Sequence, residues 1–73
     1  MPRKLRELRA ELRAAGFQLD HQTGSHEQWR HPAYRVVRIT LAGHDGADAK
    51  PYQERQLRQV LTRLRTFEIE VRR

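Results

Sequence analysis

The sequence predicts a small α+β domain in the order helix, three antiparallel strands, helix. Three observations carry that assignment. Leucines recur at helical spacing near both ends of the chain, alternation with a period of two fills the middle, and glycine or proline marks the boundaries. The 73 residues are the length of one domain, so residues 1–73 are expected to fold as a unit. A chain of this size buries only ~60% of the surface its unfolded form exposes, which implies a thin core and no deep cofactor pocket.

In the first helix Leu5, Leu8, Leu12 and Ala15 form one stripe behind Pro2, and Gly16 stands where a left-handed C-terminal cap belongs. The helix should run from about Arg3 to Ala15, with Arg6, Arg9 and Arg13 among Glu7 and Glu11 on a solvated face. From Phe17 the period becomes two: Phe17, Leu19 and His21 alternate with polar residues. A turn around Thr23 and Gly24 then leads into a second strand, Ser25 to His31. Pro32 interrupts the pattern and "YRVVRITL" resumes it, with Val37, Ile39 and Leu41 on one side and Val36, Arg38 and Thr40 on the other.

"AGHDGADAK" is a polar loop, and Pro51 opens a second helix whose stripe is Leu57, Val60, Leu61 and Leu64. A three-stranded antiparallel sheet with both helices on one face buries these stripes most simply and leaves the other face open. In the tail "FEIEVRR", residues 67–73, Phe67, Ile69 and Val71 alternate with glutamates, as in an added edge strand or a continued helix. As a strand, the tail would extend the sheet or pair with a second copy of the chain in a homodimer.

Hairpin register decides which side chains reach the open face, because a one-residue shift reverses every one of them. A loop of two or four residues would put Phe17 with His26 and Arg30 and strand Trp29 on the opposite side. A three-residue loop, Gln22-Thr23-Gly24, sets Phe17 against Trp29 with Gly24 left-handed, and is the expected register. His26, Gln28 and Arg30 then share the open face with Arg38 and Thr40, Asp20 lies across from His26, and His21 points to the core. A carboxylate in that position can orient the imidazole.

Fifteen Lys and Arg against nine Asp and Glu give a net charge of +6. Polyanions, or an acidic protein that masks a nucleic-acid site, are therefore the first partners to consider. There is no cysteine, which excludes disulfides and thiolate metal sites, and the four histidines lack any paired-ligand spacing. No cofactor or metal is expected. The chain has neither a signal-like N-terminus nor a long apolar run, so a soluble cytoplasmic protein with no membrane partner is expected.

Gly16-Phe17, then "TGSH", an aromatic at Trp29, "RHP" at Arg30 to Pro32, a β-branched third strand, a histidine-bearing loop and Lys50-Pro51 opening a leucine-patterned helix together resemble the HicA family of toxins. The likeness extends over nearly the whole chain to about Leu64. It implies a double-stranded-RNA-binding-like αβββα fold and a metal-independent mRNA endonuclease, encoded beside a HicB-type antitoxin that covers the active face. It also implies that His26 is the catalytic histidine and that Gly24 and Ser25 form the turn presenting it. Two features depart from the family pattern: His21, where a basic residue is common, and the terminal "FEIEVRR".

RNA carries its own nucleophile, the ribose 2′-hydroxyl, so cleavage requires a base, cations to hold the phosphate and a proton for the leaving oxygen. His26 is expected to be the base and Asp20 its orienter, with Gln28, Arg30, Arg38, Lys50 and, from its loop, His44 contacting RNA; the residues do not assign the general acid, for which His44 is one candidate. The rival reading is a non-catalytic RNA-binding module, which basic helix faces and a lysine at a helix start would serve equally well. A third is an adaptor whose charge serves only an acidic protein.

Overall fold

The computed structural model describes residues 2–72, which form α1 (Leu5–Ala14), β1 (Gln18–Thr23), β2 (His26–Arg30), β3 (Arg38–Ala42) and α2 (Pro51–Val71). The α+β order αβββα is as the sequence implies. β2 is central in an antiparallel sheet of order β1-β2-β3.

Leu5, Leu8 and Leu12 are fully buried because their three- and four-residue spacing lays them along one side of α1. Glu7 at the third helical position returns its carboxylate to the Lys4 backbone N–H at 2.7 Å, satisfying a donor the helix start would otherwise leave free. At the other end the Phe17 N–H donates to the Leu12 carbonyl (2.9 Å) and the Gly16 N–H to Arg13 (3.0 Å). This double closure needs a left-handed residue, which Gly16 supplies at φ +95°. It also drives Phe17 into the core as β1 begins.

Leu57, Val60 and Leu64 of α2 meet the α1 leucines over Phe17, Trp29, Val37, Ile39 and Leu41, so both helices cover the same face of the sheet. At about 25 cal/mol per Å² of apolar surface, a fully buried leucine contributes roughly 1.5–3 kcal/mol. The helix starts are joined as well: Arg3 donates to Glu54 through Nε (3.1 Å) and a terminal nitrogen (2.7 Å), and to Glu11 at 2.6 Å. The bond from Arg3 holds the Glu54 carboxyl below the usual carboxylate range, and the same bonds raise the guanidinium.

The tail does not form an edge strand. α2 continues through it to Val71, which removes the strand pairing on which a homodimer was expected. Residues 67–71 satisfy both periods at once, but Phe67 stacks on Tyr34 (ring centroids 5.7 Å apart) and Leu64 is buried one turn earlier. Those contacts carry the helix onward, while Ile69 and Val71 remain exposed. Position 73 lies outside the described residues.

The hairpin also departs from expectation. Thr23 pairs with His26, so the turn is Gly24-Ser25, two residues long, with only Gly24 left-handed at φ +58°. Glycine at the first central position suits the primed turns that match strand twist. The extra residue that keeps Trp29 inside was expected in the loop. It lies instead within β1 as a bulge at Asp20: Leu19 pairs with Trp29, and His21 with Gln28.

Candidate active site

The pairing sets out the open face in three rows. Thr23, His26 and Ala42 form the first row, His21, Gln28 and Thr40 the second, and Gln18, Arg30 and Arg38 the third. Small side chains flank His26 on both neighbouring strands, and its imidazole is exposed. The reverse side of β2 is buried, with Trp29 in the core. The expected grouping of His26, Gln28 and Arg30 with Arg38 and Thr40 is therefore present.

Three expectations about the site need correction. Asp20 does not face His26, because the bulge leaves it unpaired in the ladder; its carboxylate instead lies 3.6 Å from the Arg30 guanidinium. Part of the Arg30 charge is thereby balanced. His21 does not point to the core: beyond the bulge it lies on the open face, with Nε2 2.9 Å from the Thr23 hydroxyl. His44 lines a cleft with Arg9, Gln22, Ser25, Glu27, Gly43 and Asp45, on the side where Gln22 and Glu27 face the helices. It does not join the open rows.

Lys50 stands exposed at the start of α2, tied to the same end of the sheet as His26. Buried Gln53 accepts from the Lys50 N–H (2.8 Å) and donates to the carbonyl of Ala42, the residue paired with His26. Below this end lies a network the sequence reading missed. Arg9, 5% exposed, donates to Glu27 (2.7 Å), Asp45 (2.6 Å) and the Gly43 carbonyl, and Glu27 also accepts from the Trp29 indole at 3.3 Å. Arg9 thus joins α1 to β2 and to the loop after β3. The signal was present: position 9 is four residues past Leu5 and three before Leu12, inside the leucine stripe.

Beside β3 an open groove of about 330 Å³ is lined by Gln28, Arg38, Thr40 and, from α2, Gln56, Gln59 and Arg63. It shares Gln59 and Arg63 with a second groove that adds Arg55, Arg58 and Thr62. Neither contains a carboxylate. Among the described residues Arg38, Arg55, Arg58 and Arg63 form no ion pair, whereas Arg3, Lys4 and Arg9 are all paired with acids. Among the same residues no three His, Asp or Glu side chains cluster to hold a metal ion.

Comparison with known families gives a match to the HicA toxin of bacterial toxin–antitoxin systems over residues 5–66. That span takes in α1, the whole sheet, the His26 turn and α2 as far as Thr66. This chain belongs to the HicA toxin family. No curated protein and no solved structure shows significant similarity to it. As a HicA toxin it is one half of a toxin–antitoxin pair. No described helix is long and apolar enough to cross a membrane.

Proposed function

We propose that this HicA protein is a metal-independent endoribonuclease that cleaves mRNA, with His26 as the general base and a HicB-type antitoxin masking the open face. The observation that carries this reading is the position of His26: an exposed imidazole on the central strand, next to a tight turn, on the same open face as Gln28, Arg30 and Arg38, with the core behind it. Neutral imidazole is suited to removing the 2′-hydroxyl proton, and general base catalysis is typically worth ~10²- to 10⁴-fold. Arg38 and Arg30 follow along the same face, and Lys50 lies near the His26 end. The carboxylate-free grooves along α2 give an RNA backbone a cationic path past the β3 edge. An acidic antitoxin surface would compete for the same charges.

Replacing His26 by Ala tests the reading. Cleavage and growth arrest should be lost while RNA affinity stays within about twofold, since the ring is one of many contacts. Fully 2′-O-methylated RNA should bind without being cut. Cleavage of that methylated RNA, or a His26→Ala protein that still cuts, refutes the role. If wild type binds RNA with steep salt dependence but never cleaves it, the non-catalytic module is the correct reading.

A further inference from the structure

We propose that His21 is the general acid of this reaction, which completes with His26 a two-imidazole site across the β1–β2 hairpin. The proposal rests on the reading of His26 as base. It identifies the group that supplies the leaving oxygen with a proton.

The bulge at Asp20 is the structural cause. Without the extra residue, the strand before it and the strand after it would keep a single alternation, and Leu19 and His21 would share a face. With it, Leu19 still pairs with Trp29 on the helix side, while His21 pairs with Gln28 on the open side. His21 is then the diagonal cross-strand neighbour of His26, two residues before its partner Thr23, a relation that separates Cα atoms by roughly 7–8 Å. Its Nε2 lies 2.9 Å from Thr23 Oγ1, so the ring leans toward the row that holds His26. A threonine hydroxyl can both donate and accept, and it can hold the ring whether imidazole or imidazolium.

The other two histidines are committed elsewhere. His31 lies between Phe17 and Tyr34, with centroids 5.4 and 5.3 Å away, and its Nδ1 accepts the Ala33 N–H. His44 lines the cleft on the helix side. Only His21 and His26 share the face on which a phosphodiester can be approached from two sides.

The chemistry needs that separation. In-line displacement places the attacking and leaving oxygens on opposite sides of phosphorus. A base and an acid each within about 3 Å of one of those oxygens therefore stand several ångströms apart, too far for direct contact and matched by a diagonal pair. In the step, a neutral nitrogen of His26 takes the 2′-hydroxyl proton as the O2′–P bond forms. The P–O5′ bond breaks, and protonated His21 gives its proton to O5′. The products are a 2′,3′-cyclic phosphate and a 5′-hydroxyl. Neutral His21 and protonated His26 remain, and proton exchange with water restores both.

The test compares two versions of an oligoribonucleotide that spans a cleavage site mapped with wild-type protein. One carries the ordinary linkage and the other a 5′-bridging phosphorothiolate, whose thiolate departs without a proton. His21→Ala should lose about 10²- to 10⁴-fold on the ordinary linkage. It should come within about tenfold of wild type on the thiolate. His26→Ala should be inactive on both. Full activity of His21→Ala on ordinary RNA overturns the proposal, as does an equal loss on both substrates, which would mark a binding role. If the mapping finds no site because wild type leaves RNA intact, the nuclease reading is overturned and, with it, the role of His21. The side chain is exposed, and an unchanged melting temperature verifies that the variant folds.

Discussion

Replacing Arg9 with Met should destabilise the protein by about 3–5 kcal/mol, the usual consequence of leaving half of a buried ion pair behind. The structure shows where the loss arises. Arg9 is 6% exposed at the side chain and its partner Glu27 16%, so without the guanidinium the Glu27 carboxylate keeps only the Trp29 N–H at 3.3 Å. Asp45, 70% exposed, can turn to water and adds ~1 kcal/mol at most. Native stability of ~0.05–0.15 kcal/mol per residue gives a chain this short roughly 4–11 kcal/mol in all, so the substitution removes a large share. Glu27→Gln keeps an acceptor for the indole while discharging the site. The Arg9→Met/Glu27→Gln double variant should therefore recover about 1–3 kcal/mol relative to the sum of the single changes. Urea unfolding of the four proteins measures this. A loss below about 1 kcal/mol for Arg9→Met, or strict additivity, would refute the view that this network secures the back of the His26 strand.

Three further outcomes follow from the same contacts. Gly43→Ala should be far costlier than Gly24→Ala by thermal melting. Both glycines are left-handed, which costs another residue roughly 1–2 kcal/mol, but a Cβ at Gly43 would meet Leu5 Cδ1 at 2.6 Å whereas one at Gly24 meets nothing within 4 Å. Arg55→Ala/Arg58→Ala/Arg63→Ala should lower the slope of log affinity against log salt by up to ~2 for single-stranded RNA, while an unchanged slope would remove α2 from the RNA path. Glu54, held below its ordinary value of 4.5 by the bond from Arg3, stabilises the fold above that pH and loses this contribution as pH falls through the depressed value. Glu54→Gln should flatten the acid side of a melting-temperature profile, most visibly below pH 4.5.

The elements were legible because their signals are local. Leucine spacing, Gly16 and Pro51 define both helices, and alternation through Ile39 and Leu41 defines β3 and the face it buries. Placing Trp29 inward was enough to bring His26, Gln28 and Arg30 outward. What sequence could not supply was the location of the extra residue in the hairpin. A three-residue loop and a two-residue loop with a bulge both keep Phe17 and Trp29 on the helix side; of the residues from Asp20 to Ser25 that they place differently, Asp20, His21 and Thr23 are the ones moved onto or off the open face. Those three decide which groups stand beside His26. The tail was ambiguous because alternation and helical spacing coincide over residues 67–71, and the stack of Phe67 on Tyr34, 33 positions apart in sequence, is a tertiary contact.

In the proposed reaction the His26 imidazole, in place of a metal-bound hydroxide, activates the ribose 2′-hydroxyl. Chemical analysis of the ends of cut RNA, made in the presence of a metal chelator with wild type and His26→Ala, distinguishes the two. Wild type should leave 2′,3′-cyclic phosphate and 5′-hydroxyl ends at an undiminished rate, and the variant should leave the RNA intact. Ends bearing a 5′-phosphate, or cleavage that stops when metal is removed, would contradict it.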